Sequence, residues 1–194
     1  MSHPADPLDR FLAAFARAQA EETIDATAAA LATADRSGRP SVRYVLCKTA
    51  DGSGLRFFTN FESRKARDIA QNPRASLVFL WPKLEEQVRV EGPVEALDDA
   101  TADAYFASRP RLSQIGAWAS FQSRPLGSRE ELDMRVAEID ARFAERDVPR
   151  PPHWGGYRLI PDRWEFWKQG HSRLHDRWLY TLDDSAWRMT LLYP

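Results

Sequence analysis

Apolar residues first recur at helical spacing. Leu8, Phe11, Leu12 and Phe15 lie three to four apart, which marks one face of an amphipathic helix. Asp6-Pro7 supplies its start, with Asp as the capping residue and Pro at the first helical position. The pattern predicts a helix to about residue 22. Residues 27–34 and 41–48 read as strands, joined by the turn-forming run Asp35-Arg36-Ser37-Gly38-Arg39-Pro40. Asp51-Gly52-Ser53-Gly54 is a second turn and leads into a strand over residues 55–59. Ser63 is placed to cap a short helix that stops at Asn72-Pro73, and strands follow over 75–81 and 87–97.

The pattern then changes. Residues 98–107 read as a helix, and Ser128-Arg129-Glu130-Glu131 matches a capping box opening a helix to about residue 145. Val148-Pro149-Arg150-Pro151-Pro152 is an extended, proline-stiffened linker. Residues 157–167, 174–182 and 187–192 return to strand. Short strands joined mostly by turns predict an antiparallel barrel with helices packed outside it. There are no alternating βα units, internal repeats or low-complexity segments, and no Gly-x-Gly-x-x-Gly to support a dinucleotide-binding fold.

Composition narrows the function. The 194 residues fit one domain, and 43% hydrophobic with 28% charged residues is an ordinary globular balance. A formal net charge of −1 argues against coating nucleic acid or anionic membrane. The charge is unevenly distributed: residues 43–65 hold five cations against two acids, and residues 104–129 hold four arginines and no acid. Local excess inside a neutral protein suits a small anionic ligand. One cysteine excludes an intrachain disulfide. The first ten residues lack an apolar leader core, and no stretch approaches the roughly 18 apolar residues of a membrane span, so a soluble cytoplasmic protein is expected.

Within the predicted strand, Arg43, Val45 and Cys47 face one way, and Tyr44, Leu46 and Lys48 the other. The cations either flank a cleft or lie solvated on an edge strand. Cys47 has no paired histidine and reads as a structural thiol. Phe58-Thr59-Asn60-Phe61-Glu62-Ser63-Arg64-Lys65 is a strand-to-helix junction with two hydroxyls and two adjacent cations. Backbone N–H groups and the dipole at such a helix start favour an anion, and cations there oppose the dipole unless something negative is bound. The alternative is an ordinary capped helix with a basic first turn. His171 and His175 fall in a loop entering a strand. Four residues along a strand span ~13 Å, too far for two ligands on one zinc, so no metal is expected. Trp81, Trp118 and Trp187 read as core, whereas Trp167 is closely followed by cationic and polar side chains.

Two runs concentrate arginine, aromatic, amide and hydroxyl groups: residues 108–118, and Glu165-Phe166-Trp167 followed by Arg173-Leu174-His175-Asp176-Arg177. Guanidinium groups suit phosphate, and an indole face suits a planar ring. Together with residues 43–48, Phe57-Phe58-Thr59-Asn60, Ser63-Arg64-Lys65, Gln87-Val88-Arg89-Val90-Glu91-Gly92, residues 105–123 and Trp154-Gly155-Gly156-Tyr157-Arg158, they resemble the pyridoxamine 5'-phosphate oxidases. The resemblance extends from about residue 6 to residue 194. It implies a split β-barrel in a single domain, with residues from about 148 to 194 completing the barrel and the dimeric active site. It also implies a homodimer with two FMN sites at the interface.

By that resemblance, Arg43, Tyr44, Val45, Leu46, Cys47, Lys48, Phe58, Thr59, Ser63, Arg64, Lys65, Gln87, Gln122, Ser123, Trp167 and Arg177 would hold FMN. Lys48, Tyr105, Arg109 and Ser113 would hold the substrate phosphate, and Arg173 and His175 would cover the pyridine ring as the catalytic pair. The implied reaction is oxidation of pyridoxamine or pyridoxine 5'-phosphate by oxygen to pyridoxal 5'-phosphate, releasing hydrogen peroxide, in vitamin B6 metabolism. Three features depart from the family pattern. The sequence starts close to Asp6-Pro7, as in a short form without the basic N-terminal segment; Glu86 stands where most relatives have arginine; and the ending is Leu191-Leu192-Tyr193-Pro194. These bear on closure of the substrate site. A phenazine-type split-barrel oxidase and a non-catalytic flavin or pyridoxal phosphate carrier are the competing readings.

Overall fold

The computed structural model describes residues 6–194. Helix α1 (Pro7–Glu21) starts as expected, with the Asp6 carboxylate accepting from Leu8 N at 2.8 Å. Its buried face, Phe11, Ala14 and Ala18, closes one end of a barrel, where Phe11 packs on Phe79, Trp81 and Trp164.

The strands are β1 (Ala28–Ala34), β2 (Pro40–Asp51), β3 (Gly54–Asn60), β4 (Arg74–Trp81), β5 (Glu86–Ala96), β6 (Trp154–Leu159), β7 (Arg163–Lys168), β8 (Asp176–Asp183) and β9 (Ala186–Leu191). All pairings are antiparallel, in the order β4-β1-β2-β3-β6-β5, and a β4–β5 ladder closes these six into a barrel. Strands β7, β8 and β9 extend the sheet outward from β5. Leu31, Leu55, Phe57, Leu77, Phe79, Val90 and Leu159 fill the interior.

The turn between β2 and β3 depends on Gly54, which has φ +127° and where a side chain would meet Leu159 O at 2.4 Å. The split in the sheet is at β5. Its first half lies between β4 and β7, and past Gly92-Pro93 its second half pairs with β6.

Helix α2 (Arg64–Gln71) follows β3. Helices α3 (Asp99–Ala107), α4 (Arg111–Ala119) and α5 (Arg129–Arg142) pack a second cluster, Phe106, Ile115, Ile139, Phe143 and Trp154, against the barrel's side. Among the described residues no helix is long and apolar enough to cross a membrane.

Four expectations need correction. Among the described residues nine strands form, and the strand expected over residues 157–167 is two of them, because Pro161 has no N–H to continue the ladder. Most of the run 108–118 falls in helix α4, which the sequence reading missed. Helix α5 ends at Arg142, short of residue 145. Its capping box is half-formed: Ser128 Oγ accepts from Glu131 N, but Glu131 reaches Gly127 N.

Candidate active site

The junction of β3 and α2 gathers cations with little to neutralise them. On β2, Val45 and Cys47 are buried and Arg43 is half-buried, while Tyr44, Leu46 and Lys48 are exposed on the opposite face. Burial pushes the Cys47 thiol up to about 12, consistent with an inert structural side chain. Arg43 Nη1 donates to Leu31 O at 3.1 Å and Thr33 Oγ1 at 2.8 Å, and Nη2 donates to Ser41 Oγ. Its nearest carboxylate, Asp68 at 3.8 Å, already accepts from the Thr33 and Ser41 hydroxyls. Burial lowers the Arg43 pKa; Asp68 opposes that shift and Arg64 adds to it.

Ser63 is fully buried at the start of α2, yet its hydroxyl makes no helix-capping bond. It accepts instead from Lys65 Nζ at 3.3 Å. Lys65 Nζ also donates to Thr59 Oγ1 and Gln122 Oε1, both at 3.0 Å. Among the described residues Lys65 has no carboxylate partner, and burial together with the charge of Arg43 pushes it down to about 8. Arg64 is exposed beside it. This is the first-turn charge that the dipole argument says calls for an anion.

Gln122 and Ser123 arrive from the loop between α4 and α5. Ser123 has φ +70° and accepts from Arg64 N at 3.4 Å, so the loop closes over the helix start. Two side chains that sequence reasoning missed hold the loop there. Arg124 pairs with Glu62 at 2.6 Å. Arg135, on α5, donates to Ala119 O at 2.9 Å and lies 3.9 Å over the Phe121 ring. Basic residues flanking a loop aromatic are the available sequence signal, and it is weak.

Adjoining this loop is a cleft of about 280 Å³ lined by Asn60, Arg109, Ser113, Ser120, Gln122 and Trp154. The Arg109 guanidinium lies 4.8 Å over Trp154, and its Nη1 is buried without a hydrogen-bond partner. Burial lowers its pKa, with Tyr105 opposing. Tyr105 stacks on Phe58 at 3.7 Å, and both are parallel to Trp154. Helix α4 is what turns Ser113 and Gly116 towards this cleft, so the missed helix carries part of the candidate site. Lys48 pairs instead with Asp25 at 3.0 Å. A wider depression of about 720 Å³, lined by Arg111, Asp140 and Arg146, contains none of the candidate residues.

The late residues form a second group. Gln87, Trp167 and Arg177 are successive cross-strand partners on β5, β7 and β8. The His175 ring lies 4.5 Å from that of Trp167, and its Nδ1 accepts from Gly170 N at 3.2 Å. The turn from Gly170 to Leu174 is tight: Ser172 and Arg173 both have positive φ, and a side chain at Gly170 would meet Leu174 O at 1.8 Å. Arg173 is exposed on this turn. His171 lies in the same 3-10 turn as Arg173, and the ring contact with Trp167 is made by His175.

Arg43, Thr59, Ser63, Arg64, Lys65, Gln122 and Ser123 therefore form one group, and Tyr105, Arg109 and Ser113 line or adjoin its cleft. Gln87, Trp167, His175 and Arg177 form another, and no hydrogen bond joins the two among the described residues. The donor set of the first group, cations and hydroxyls with a single engaged carboxylate, suits a phosphate monoester. The partnerless Arg109 Nη1 suits a second anion.

The chain matches the family model described as pyridoxamine 5'-phosphate oxidase over residues 15–143. It also matches one described as pyridoxine 5'-phosphate oxidase C-terminal dimerisation region over residues 154–194. A pyridoxine/pyridoxamine 5'-phosphate oxidase of Anaeromyxobacter dehalogenans is 60% identical over 189 residues, spanning 97% of this chain and 96% of that one. One of Myxococcus xanthus is 54% identical over 191 residues, spanning 98% and 93%. Among solved structures, PhzG from Burkholderia lata in complex with tetrahydrophenazine-1-carboxylic acid superposes with a TM-score of 0.93 at 33% identity, covering 98% of this chain and 94% of that one. A pyridoxamine 5'-phosphate oxidase-related, FMN binding protein from Nostoc punctiforme shares the fold, with a TM-score of 0.75 at 21% identity and 96% of each chain covered.

Proposed function

The chain belongs to the pyridoxamine 5'-phosphate oxidase family, and from that premise we propose that it binds FMN and oxidises pyridoxamine or pyridoxine 5'-phosphate to pyridoxal 5'-phosphate. Its relatives make it an oxidoreductase of the pyridoxine/pyridoxamine 5'-phosphate oxidase type. Oxygen is the acceptor and becomes hydrogen peroxide; the amine substrate also consumes water and releases ammonia. The observation that carries the cofactor reading is Lys65, a buried ammonium held only by neutral oxygens beside Arg43 and Arg64. Such a cluster is stabilised when a phosphate dianion enters it.

In this reading Arg43, Ser63, Arg64, Lys65 and Ser123 hold the FMN phosphate and ribityl chain. The β2 segment Tyr44, Val45, Leu46, Cys47 and Lys48 contributes main chain beside them, and Phe58, Thr59, Gln87, Gln122, Trp167 and Arg177 border the ring. Bound there, FMN would supply the two-electron redox chemistry, linking oxidation at the substrate's C4' carbon to reduction of oxygen. Lys48, Tyr105, Arg109 and Ser113 anchor the substrate phosphate. Arg173 and His175 orient the pyridine ring. Because His175 Nδ1 accepts a backbone N–H, its neutral ring carries the proton on Nε2 and presents a donor there.

Among the described residues no hydrogen bond joins the two groups within one chain. The C-terminal match is to a dimerisation region that contains Trp167, His175 and Arg177 of the second group, which supports a homodimer with each site completed by both subunits. The exposed Val42, Tyr44 and Leu46 on β2 offer an apolar face for such a partner.

A second substrate class has one specific support, the 33% identity to PhzG. The 54–60% identity to pyridoxine/pyridoxamine oxidases favours the vitamin substrate. The deciding experiment is aerobic turnover of FMN-loaded protein with pyridoxamine phosphate, pyridoxine phosphate and a tetrahydrophenazine carboxylic acid, following peroxide and pyridoxal phosphate. Turnover of only the phenazine would overturn the proposal.

A further inference from the structure

Glu165 opens the Glu165-Phe166-Trp167 run but has no part in the reading above. On β7, Trp164 and Phe166 are buried in the barrel core, so Glu165 lies on the opposite face with Trp167. It is 5% exposed, and two arginines converge on it. Arg89, directly opposite on β5, donates to Oε2. Arg177 is the cross-strand partner of Trp167 and reaches Glu165 diagonally. Its Nε donates to Oε1 at 2.8 Å, and its Nη2 stands 2.7 Å from the same oxygen. A third anchor comes from the chain end: Arg177 Nη1 donates to Tyr193 O at 2.9 Å, and Leu192 N donates to Arg177 O at 3.0 Å.

A buried carboxylate between two guanidinium groups is a poor way to gain stability, because desolvation offsets most of the attraction and apolar side chains often serve as well. What the arrangement does provide is a fixed orientation. A guanidinium has five N–H groups in a rigid fork. Engaging Nε and one hydrogen each of Nη2 and Nη1 immobilises the plane and leaves one N–H on each terminal nitrogen for a ligand.

We infer that Glu165 is a positioning residue, which holds the Arg177 guanidinium in the Gln87, Trp167, Arg177 row so that its remaining N–H groups meet an acceptor on the bound flavin. This rests on the reading that the row borders FMN. Glu165 touches neither cofactor nor substrate and acts only through Arg177.

The test is FMN affinity by fluorescence titration, with the melting temperature of the flavin-free protein, on full-length Glu165→Gln, Arg177→Ala, the double variant and Arg89→Gln. Glu165→Gln is expected to weaken FMN about tenfold, part of a charge-assisted contact. Arg177→Ala should weaken it at least as much, and the double variant no further than Arg177→Ala alone. Arg89→Gln should lower the melting temperature and leave affinity unchanged. If Glu165→Gln does not fold, Glu165→Asp keeps the charge but shortens the reach, and should fold with weakened FMN binding. Unchanged affinity in the folded Glu165 variants, or losses that add in the double variant, would overturn the inference. Full affinity in Arg177→Ala would overturn it together with the placement of Arg177. Failure of the wild-type protein to bind FMN would overturn the flavin reading itself.

Discussion

Lys65 Nζ donates to Gln122 Oε1 at 3.0 Å, and the same amide oxygen accepts from Thr59 Oγ1 at 3.1 Å. A loop amide far along the chain thus shares one oxygen between a buried ammonium and a strand hydroxyl. Neutral oxygens can orient an ammonium but cannot neutralise it. The site is therefore preorganised for an anion and carries an electrostatic cost without one.

If the proposed FMN phosphate occupies this site, that cost should make its binding dependent on pH. Burial and Arg43 push Lys65 down to about 8 from the ordinary 10.5, and a bound phosphate dianion raises it again. Between about pH 6, where the phosphate loses its second proton, and about pH 8 the ammonium is charged and affinity should be full. Above about pH 8, binding must take up a proton, so affinity falls by up to about tenfold per pH unit. Stability of the flavin-free protein, through this group alone, moves the other way and rises between about pH 8 and 10.5 as the buried charge is released. Calorimetry from pH 7 to 9.5, in buffers of different ionisation enthalpy, should show this proton uptake. Lys65→Met should remove it. A flat affinity profile in the wild-type protein would count against an anion at Lys65.

Arg64→Ala should weaken FMN binding by about 1.5–3 kcal/mol, the usual worth of a hydrogen bond to a charged group. Because Arg64 is exposed, the flavin-free melting temperature should barely change. An unchanged FMN dissociation constant would remove Arg64 from the phosphate site.

The parts legible in the sequence were those set by local period and capping. Asp6-Pro7 and the apolar stripe of α1 located the first helix, and alternation on β2 correctly put Arg43, Val45 and Cys47 on one face. The basic start of α2 was readable as a candidate anion site because the dipole argument needs only neighbouring residues. Helix α4 was not readable. It follows Pro110, contains Gly116, and buries only Ile115 and Ala119, while Ser113 lines a cleft and Gln114 and Arg111 donate to main-chain carbonyls of neighbouring segments. The role of Gln122 depends on Lys65, a contact that no local pattern encodes. The row of Gln87, Trp167 and Arg177 exists only through strand register, so family resemblance reached it and periodicity did not.

The loop over Lys65 should depend on Arg135. Removing its guanidinium frees Ala119 O and uncovers Phe121, neither of which is a candidate FMN contact. Arg135→Ala is expected to weaken FMN by ~1 kcal/mol, about fivefold, through lost order around Gln122 and Ser123. Arg135→Lys, which keeps the cation over the ring, should recover part of that loss. Equal affinities for wild type and Arg135→Ala would show that the loop needs no such support.

Phosphate anchoring and ring positioning should separate in steady-state kinetics. Arg109 has a buried, partnerless Nη1 in the cleft with Ser113, the environment of a side chain awaiting an anion. A contact to a phosphate remote from the reacting carbon is made alike in ground and transition states, so losing it acts on binding. Arg109→Ala should raise KM by about 10- to 100-fold, equivalent to a lost charge-assisted bond, and lower kcat much less. Arg173 sits on a backbone turn with two successive positive φ values, a conformation that costs about 1–3 kcal/mol per residue and persists where surrounding structure enforces it. If that turn orients the pyridine ring, small misplacement raises the barrier itself, and Arg173→Ala should lower kcat about 100-fold with FMN still bound. If Arg173 is only a turn residue, the same substitution changes melting temperature and leaves kcat per flavin-loaded site intact. Rates normalised to bound FMN distinguish the two outcomes, and a full kcat for Arg173→Ala would remove it from the catalytic pair.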